Sequence, residues 1–96
     1  MTPLADTPEY FEDTSFVTGD SPVTLDLRAA LGRLATSVTV ICDGNGSFTV
    51  AFSVDGITFG DAILMKTTES LSFSDMSVSA VRITWIADSS YRVIAI

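Results

Sequence analysis

Between Thr36 and Ser53 the chain reads TSVTVIC-DGNG-SFTVAFS, and apolar residues recur there at every second position. Side chains alternate between the two faces of a strand, so this period of two puts Val38, Val40 and Cys42 on one face and Ser37, Thr39 and Ile41 on the other. Phe48, Val50 and Phe52 repeat the pattern after DGNG. Gly and Asn tolerate positive φ, so the segment is expected to form a β-hairpin closed at Asp43–Gly46.

The rest of the chain after Pro22 has the same character. PVTLDL alternates Val23, Leu25 and Leu27 behind a proline, as at the start of an edge strand. LRAALGRLA has Leu27, Leu31 and Leu34 at helical spacing with Asp26 in capping position, and Gly32 stops it after one short turn. Asp55–Gly56 marks another turn, followed by Phe59–Gly60 and DAILMK. TESLSFSD offers Leu71 and Phe73. VSAVRITWIA sets Val81, Ile83 and Trp85 against Arg82 and Thr84, and ADSS turns the chain into YRVIAI. Six to seven short strands at about ten-residue spacing predict an all-β fold, an antiparallel β-sandwich or small jelly-roll-like barrel.

Residues 1–22 differ. They hold five carboxylates, no Lys or Arg, and no regular apolar period, but they include Tyr10, Phe11 and Phe16. The expected organisation is an extended N-terminal arm over 1–22 and a β-sandwich domain over 23–96. Burying the three aromatic side chains contributes about 5–9 kcal/mol at best. Fixing some twenty residues of backbone costs about 20–40 kcal/mol. Order in the arm therefore requires backbone pairing, as when a strand adds to a sheet edge. Val17, Thr18, Pro3 and Pro8 suit an extended path. Tyr10, Phe11, Phe16 and Val17 are the expected contacts of the arm with other subunits.

Composition excludes several function classes. The chain is 47% hydrophobic and 18% charged, which is a folding composition. Twelve carboxylates against five basic residues give a net charge of −7. Neither nucleic acid nor an anionic membrane is an expected partner, because both require clustered Lys and Arg. No stretch has the length of a membrane span. Histidine is absent, removing the usual general base and metal ligand. Ser47, Ser53, Ser89 and Ser90 have no activating base beyond the single Lys66, so no enzyme, cofactor or metal is expected. Asp43 and Asp55 supply too few oxygens for calcium and read as turn residues. Cys42 is a single cysteine on the apolar face of its strand, so it is expected as a buried residue without a disulfide. Trp85 and Tyr91 are expected in the core. Arg82 and Arg92 flank the last turn and are expected as surface residues that pair with acidic groups. The last strand is apolar on both faces. A one-layer strand would show a polar face, so Ile94 and Ile96, with Arg92, are expected to meet a second layer or another subunit.

FSVDGITFG, AVRITW and YRVIAI together resemble the small β-sandwich virion structural proteins of tailed bacteriophages, over about residues 36–96. The resemblance implies a capsid decoration (cement) protein, a dimer or trimer made in the host cytoplasm and bound to the major capsid protein or other virion proteins. A neck or tail protein is the runner-up. The S-x-D-G-x-x-F element at Ser53, Asp55, Gly56 and Phe59 also resembles discoidin-like carbohydrate-binding jelly rolls.

Overall fold

The computed structural model describes residues 8–96. The first seven residues of the expected arm, Pro3 among them, lie outside the described residues. The strands are β1 (Glu9–Phe16), β2 (Val23–Asp26), β3 (Val38–Cys42), β4 (Phe48–Ser53), β5 (Ile63–Met65), β6 (Ser70–Phe73), β7 (Ala80–Trp85) and β8 (Ser89–Ala95), with one short helix, α1 (Leu27–Leu31). They form two four-stranded antiparallel sheets, one in the order β1-β8-β3-β6 and the other β2-β7-β4-β5. The protein is an all-β sandwich with jelly-roll strand order.

This order corrects the expected hairpin. β3 pairs with β6 and β8, whereas β4 pairs with β5 and β7. The DGNG segment therefore carries the chain from one sheet to the other. The step from β7 to β8 through Ala87–Asp88 does the same. A period-two pattern marks each strand's buried face but is indifferent to whether the next strand lies beside it or opposite it. The two sheets face each other, so both halves of TSVTVIC-DGNG-SFTVAFS point their apolar residues into one core.

β1 is the strand that the sequence does not mark. It lies along β8 with Glu9 opposite Ala95 and Phe11 opposite Val93. The backbone pairing that the arm requires is thus supplied by the chain's own last strand. The register slips between Asp13 and Phe16. Asp13 Oδ1 accepts the Ser15 N–H there, at 2.9 Å. Two residues then stand opposite one, a bulge that re-aims the side chain after it. It turns Phe16 inward, where its ring meets Tyr91 at 5.4 Å and Phe48 at 6.3 Å, both edge-on. These three rings come from β1, β8 and β4, and so join the two sheets.

Around them, Val38, Val40, Cys42, Val50, Met65, Val81, Ile83 and Val93 are fully enclosed or nearly so. Cys42 is buried and free, as its strand position implies. Tyr91 is in the core, and Trp85 packs half-buried against it. Burial raises the pKa of the Tyr91 phenol above its ordinary value, and the charges of Asp13 and Asp20 add to the shift.

Candidate functional site

One end of the sandwich is formed by α1 with the following loop, residues 54–62, and the segment before β7. Asp26 starts α1: its Oδ1 accepts the Ala29 N–H at 3.0 Å. Gly32 ends it in the left-handed region at φ 78°, donating its N–H to Arg28 O at 2.8 Å. The N–H groups of Leu27 and Arg28 both reach Ser79 O, at 2.9 and 3.1 Å, which fastens the helix start to the strand beside it.

The Asp55 turn lies across from α1. Asp55 Oδ1 accepts the N–H groups of Ile57 and Thr58, each at 2.8 Å, and the Ser53 hydroxyl at 2.9 Å. The Thr58 N–H, the Ile57 N–H and the Ser53 hydroxyl, in that order of effect, hold the carboxyl at about 2. Ser53 Oγ in turn accepts the Gly56 N–H at 2.8 Å. Gly56 sits at φ 81°, which glycine adopts without strain. Beyond the turn, Phe59 folds back over the second sheet and lies 4.2 Å from the Arg82 guanidinium, a cation–π contact. Arg82 is therefore occupied by its own chain's aromatic ring.

Between these elements lies an open cleft of about 630 Å3, lined chiefly by Thr24, Asp26, Arg28, Asp55, Gly56 and Ser79. Among the described residues, Arg28 makes no ion pair and no side-chain hydrogen bond. The remaining oxygen of Asp26 and that of Asp55 are likewise without a hydrogen-bond partner there. A smaller hollow of about 340 Å3 lies near the bulge, between Ser15, Val17, Asn45 and Asp88.

The residues expected to bind partners are placed differently. Phe16 is fully buried in the chain's own core, and Phe11, half-buried, packs against the same core. Val17 is 40% exposed and Tyr10 52% exposed. Tyr10 stands opposite Ile94 on the outer face of the first sheet, and Thr39 flanks Ile94 on its other side. Ile94 and Ile96 are half-buried within the single chain. The Ile96 carbonyl accepts the N–H groups of Thr36 and Ser37, at 2.7 and 3.0 Å. Arg92 binds Asp43 through two hydrogen bonds, at 2.6 and 3.2 Å, in place of the acidic arm.

Asp26 was legible as a cap and Asp55 as a turn. Arg28 and Ser79 had no signal of their own, because nothing local places a residue after β2 beside one before β7. No group of three or more His, Cys, Asp and Glu capable of holding a metal occurs among the described residues.

No protein-family model matches the chain, and no curated protein matches it. Its fold is similar to solved structures. A cupin-2 domain containing protein from Shewanella frigidimarina aligns over 91% of this chain and 66% of its own, with 11% identity and a TM-score of 0.47. Fe(II) HppE aligns over 93% of this chain and 42% of its own, at 9% identity and a TM-score of 0.52. PirA aligns over 92% and 82%, at 15% identity and 0.45. The chain spans less than half the length of HppE and 66% of the cupin-2 protein. The HppE likeness supports a shared fold and nothing finer.

The expected capsid decoration role is corrected: the fold is one that Fe(II) HppE also has, and nothing in that likeness supports a place on a shell. The molecule gives the physical reason. The segment assigned to shell attachment is an edge strand of its own sheet over Glu9–Phe16. The S-x-D-G-x-x-F element that carried the resemblance is accounted for by the Asp55 turn and the Phe59–Arg82 stack.

Proposed function

We propose that the protein is a non-enzymatic binding module that holds a small polar ligand in the cleft between α1 and the Asp55 turn. One observation carries this reading: Arg28, unpaired among the described residues, lines the same cleft as two carboxylates that each keep an uncommitted oxygen. Its volume lies in the range of about 300–1,000 Å3 usual for small-molecule sites. A ligand bearing both a cationic and an anionic group matches that lining, with its cation toward Asp26 and Asp55 and its anion toward Arg28.

The side chains support binding rather than catalysis. Ser53 is committed to Asp55 and Gly56, and Ser89 to Cys42 Sγ at 3.4 Å. The Fe(II) in the name of HppE finds no cluster of three or more His, Cys, Asp and Glu to hold it among the described residues. The chain has no histidine, and its sandwich interior is lined by Phe, Val, Ile and Met side chains. The net charge of −7 supports a ligand other than nucleic acid or an anionic membrane.

The test is amide chemical-shift mapping with an α-amino acid, its methyl ester and its N-acetyl form. Saturable shifts at Arg28, Ala29 and Gly56 with the free amino acid, lost in Arg28→Gln, are expected. No saturable shift with any of the three at millimolar concentration would sink this reading.

A second reading is self-association through the outer face of the first sheet. It is favoured by Tyr10, half-exposed and opposite Ile94. A particle mass by light scattering above that of one chain, reduced by Ile94→Glu, is expected; a wild type monomeric at tens of micromolar removes it.

A further inference from the structure

Three steps of the chain place an Asx residue before glycine: Asp43–Gly44, Asn45–Gly46 and Asp55–Gly56. At such a step the glycine backbone nitrogen can approach the preceding side-chain carbonyl carbon, because no Cβ obstructs it. The structure treats the three steps differently. At Asp55, the carboxyl group is held by three donors, and the Gly56 N–H is tied to Ser53 Oγ. At Asp43, both carboxylate oxygens are held by Arg92. A carboxylate is also a poor electrophile.

Asn45 has neither protection. Its carboxamide is neutral, and the residue is exposed. The Thr67 hydroxyl pins the backbone carbonyls of Asn45 and Gly46, at 2.8 and 3.2 Å. Among the described residues, however, neither the Asn45 side chain nor the Gly46 N–H makes a hydrogen bond. The loop is fixed at its carbonyls, and the two reacting groups are left free.

We propose that Asn45 is a site of spontaneous self-modification through a succinimide. The Gly46 nitrogen loses its proton to water and bonds to Asn45 Cγ. Water returns a proton to the side-chain amide nitrogen, the Cγ–N bond to it breaks, and ammonia leaves. Water then opens the ring at either carbonyl, giving aspartate or isoaspartate at position 45. Water is the only co-reactant, and no electrons are exchanged.

Either product adds a carboxylate to a loop that already carries Asp43. The isoaspartyl product also lengthens the backbone just before Gly46, where there is no room. A Cβ on Gly46 would collide with Asp88 O and stand 2.7 Å from Ala87 O. Conversion therefore loosens the contact between residues 43–47 and 86–88.

The sequence makes the test clean. Asn45 is the chain's one asparagine and there is no glutamine, so amide-to-acid conversion of the intact chain reports this position alone. The full chain is incubated in mildly alkaline buffer, native and urea-unfolded in parallel, and followed by intact mass and by enzymatic isoaspartate labelling. Expected is conversion of the native chain at no less than half the unfolded rate, with isoaspartate at position 45. Asn45→Ser, checked for folding by circular dichroism, should show no mass gain. A native chain that converts at less than half the unfolded rate overturns the proposal, because the loop would then protect the step.

Discussion

The two ends of the sandwich both turn on an Asp–Gly step, and they are held by opposite means. At the end that contains residues 43–47, the loop is held by contact. A Cβ added to Gly44 would lie 2.6 Å from Ser90 N, and one added to Gly46 would collide with Asp88 O and stand 2.7 Å from Ala87 O. At the other end, Asp55 organises its own turn through a carboxylate and four short hydrogen bonds, while Ile57 is 83% exposed. A loop held by packing leaves only the smaller hollow of about 340 Å3 beside it. A loop held by its own hydrogen bonds stands away from its neighbours and leaves a cleft beside it.

The largest effect is expected at the packed end. Phe16 is buried there among two other rings, and Phe16→Ala should cost about 3–5 kcal/mol, as large-to-small aromatic core substitutions do. Urea unfolding should show the loss at an unchanged m-value. A cost under about 1 kcal/mol would mean that β1 contributes little to the core. Gly46→Ala comes next. Its methyl group meets backbone atoms rather than a flexible side-chain end, so about 1–3 kcal/mol of overpacking is expected. Gly19→Ala is the control, since nothing lies within 4 Å of its added Cβ. Equal melting temperatures for the two variants would show that loop 43–47 has slack.

The open end gives smaller effects. Ser53→Ala removes the acceptor of the Gly56 N–H and one donor to Asp55, about 0.5–1.5 kcal/mol for each net hydrogen bond. The Asp55 turn also has an acid limit. Its folded pKa is about 2, below the ordinary 3.8. The stabilisation is therefore complete above about 3.8 and is lost as pH falls through about 2. Protection of the Ile57 and Thr58 amides, taken relative to their intrinsic exchange rates at each pH, should fall within that window in the wild type, and Asp55→Asn should remove that fall. Protection that is flat across the window would place the order of the turn elsewhere.

How much of this was legible in the sequence follows from the same contrast. The strands after Pro22 were visible, because β3 and β8 bury alternate residues in a strict period of two and the others keep enough of it to be read. The Asp26 cap, the stop at Gly32 and the Asp55 turn were visible because their partners lie within a few residues. Strand order was not visible. The glycines of DGNG suit a hairpin, but here they let a sheet-to-sheet corner pass under Ala87–Asp88, some forty residues away. β1 was hidden because it is an edge strand whose Glu9, Glu12 and Asp13 disrupt the apolar alternation. The bulge before Phe16 also breaks its phase. The cleft was hidden for a related reason: Arg28 and Ser79 meet only through the β2–β7 pairing.

Arg92→Gln should have the smallest effect. Arg92 and Asp43 are joined by short contacts, yet their side chains are 39% and 36% exposed. Water and salt screen such a pair, and exposed ion pairs contribute about 0.2–1 kcal/mol. The loop's backbone, by contrast, is held by bonds that the substitution leaves intact: Asp43 N–H to Ser90 O at 3.0 Å, and the N–H groups of Ile86 and Ala87 to Ser47 O at 3.3 and 3.1 Å. If packing holds this end, Arg92→Gln should lower stability by no more than about 1 kcal/mol, and the difference should shrink as salt is added. A larger loss that persists in high salt would mean that the ion pair anchors residues 43–47. The two ends would then both be held by their carboxylates.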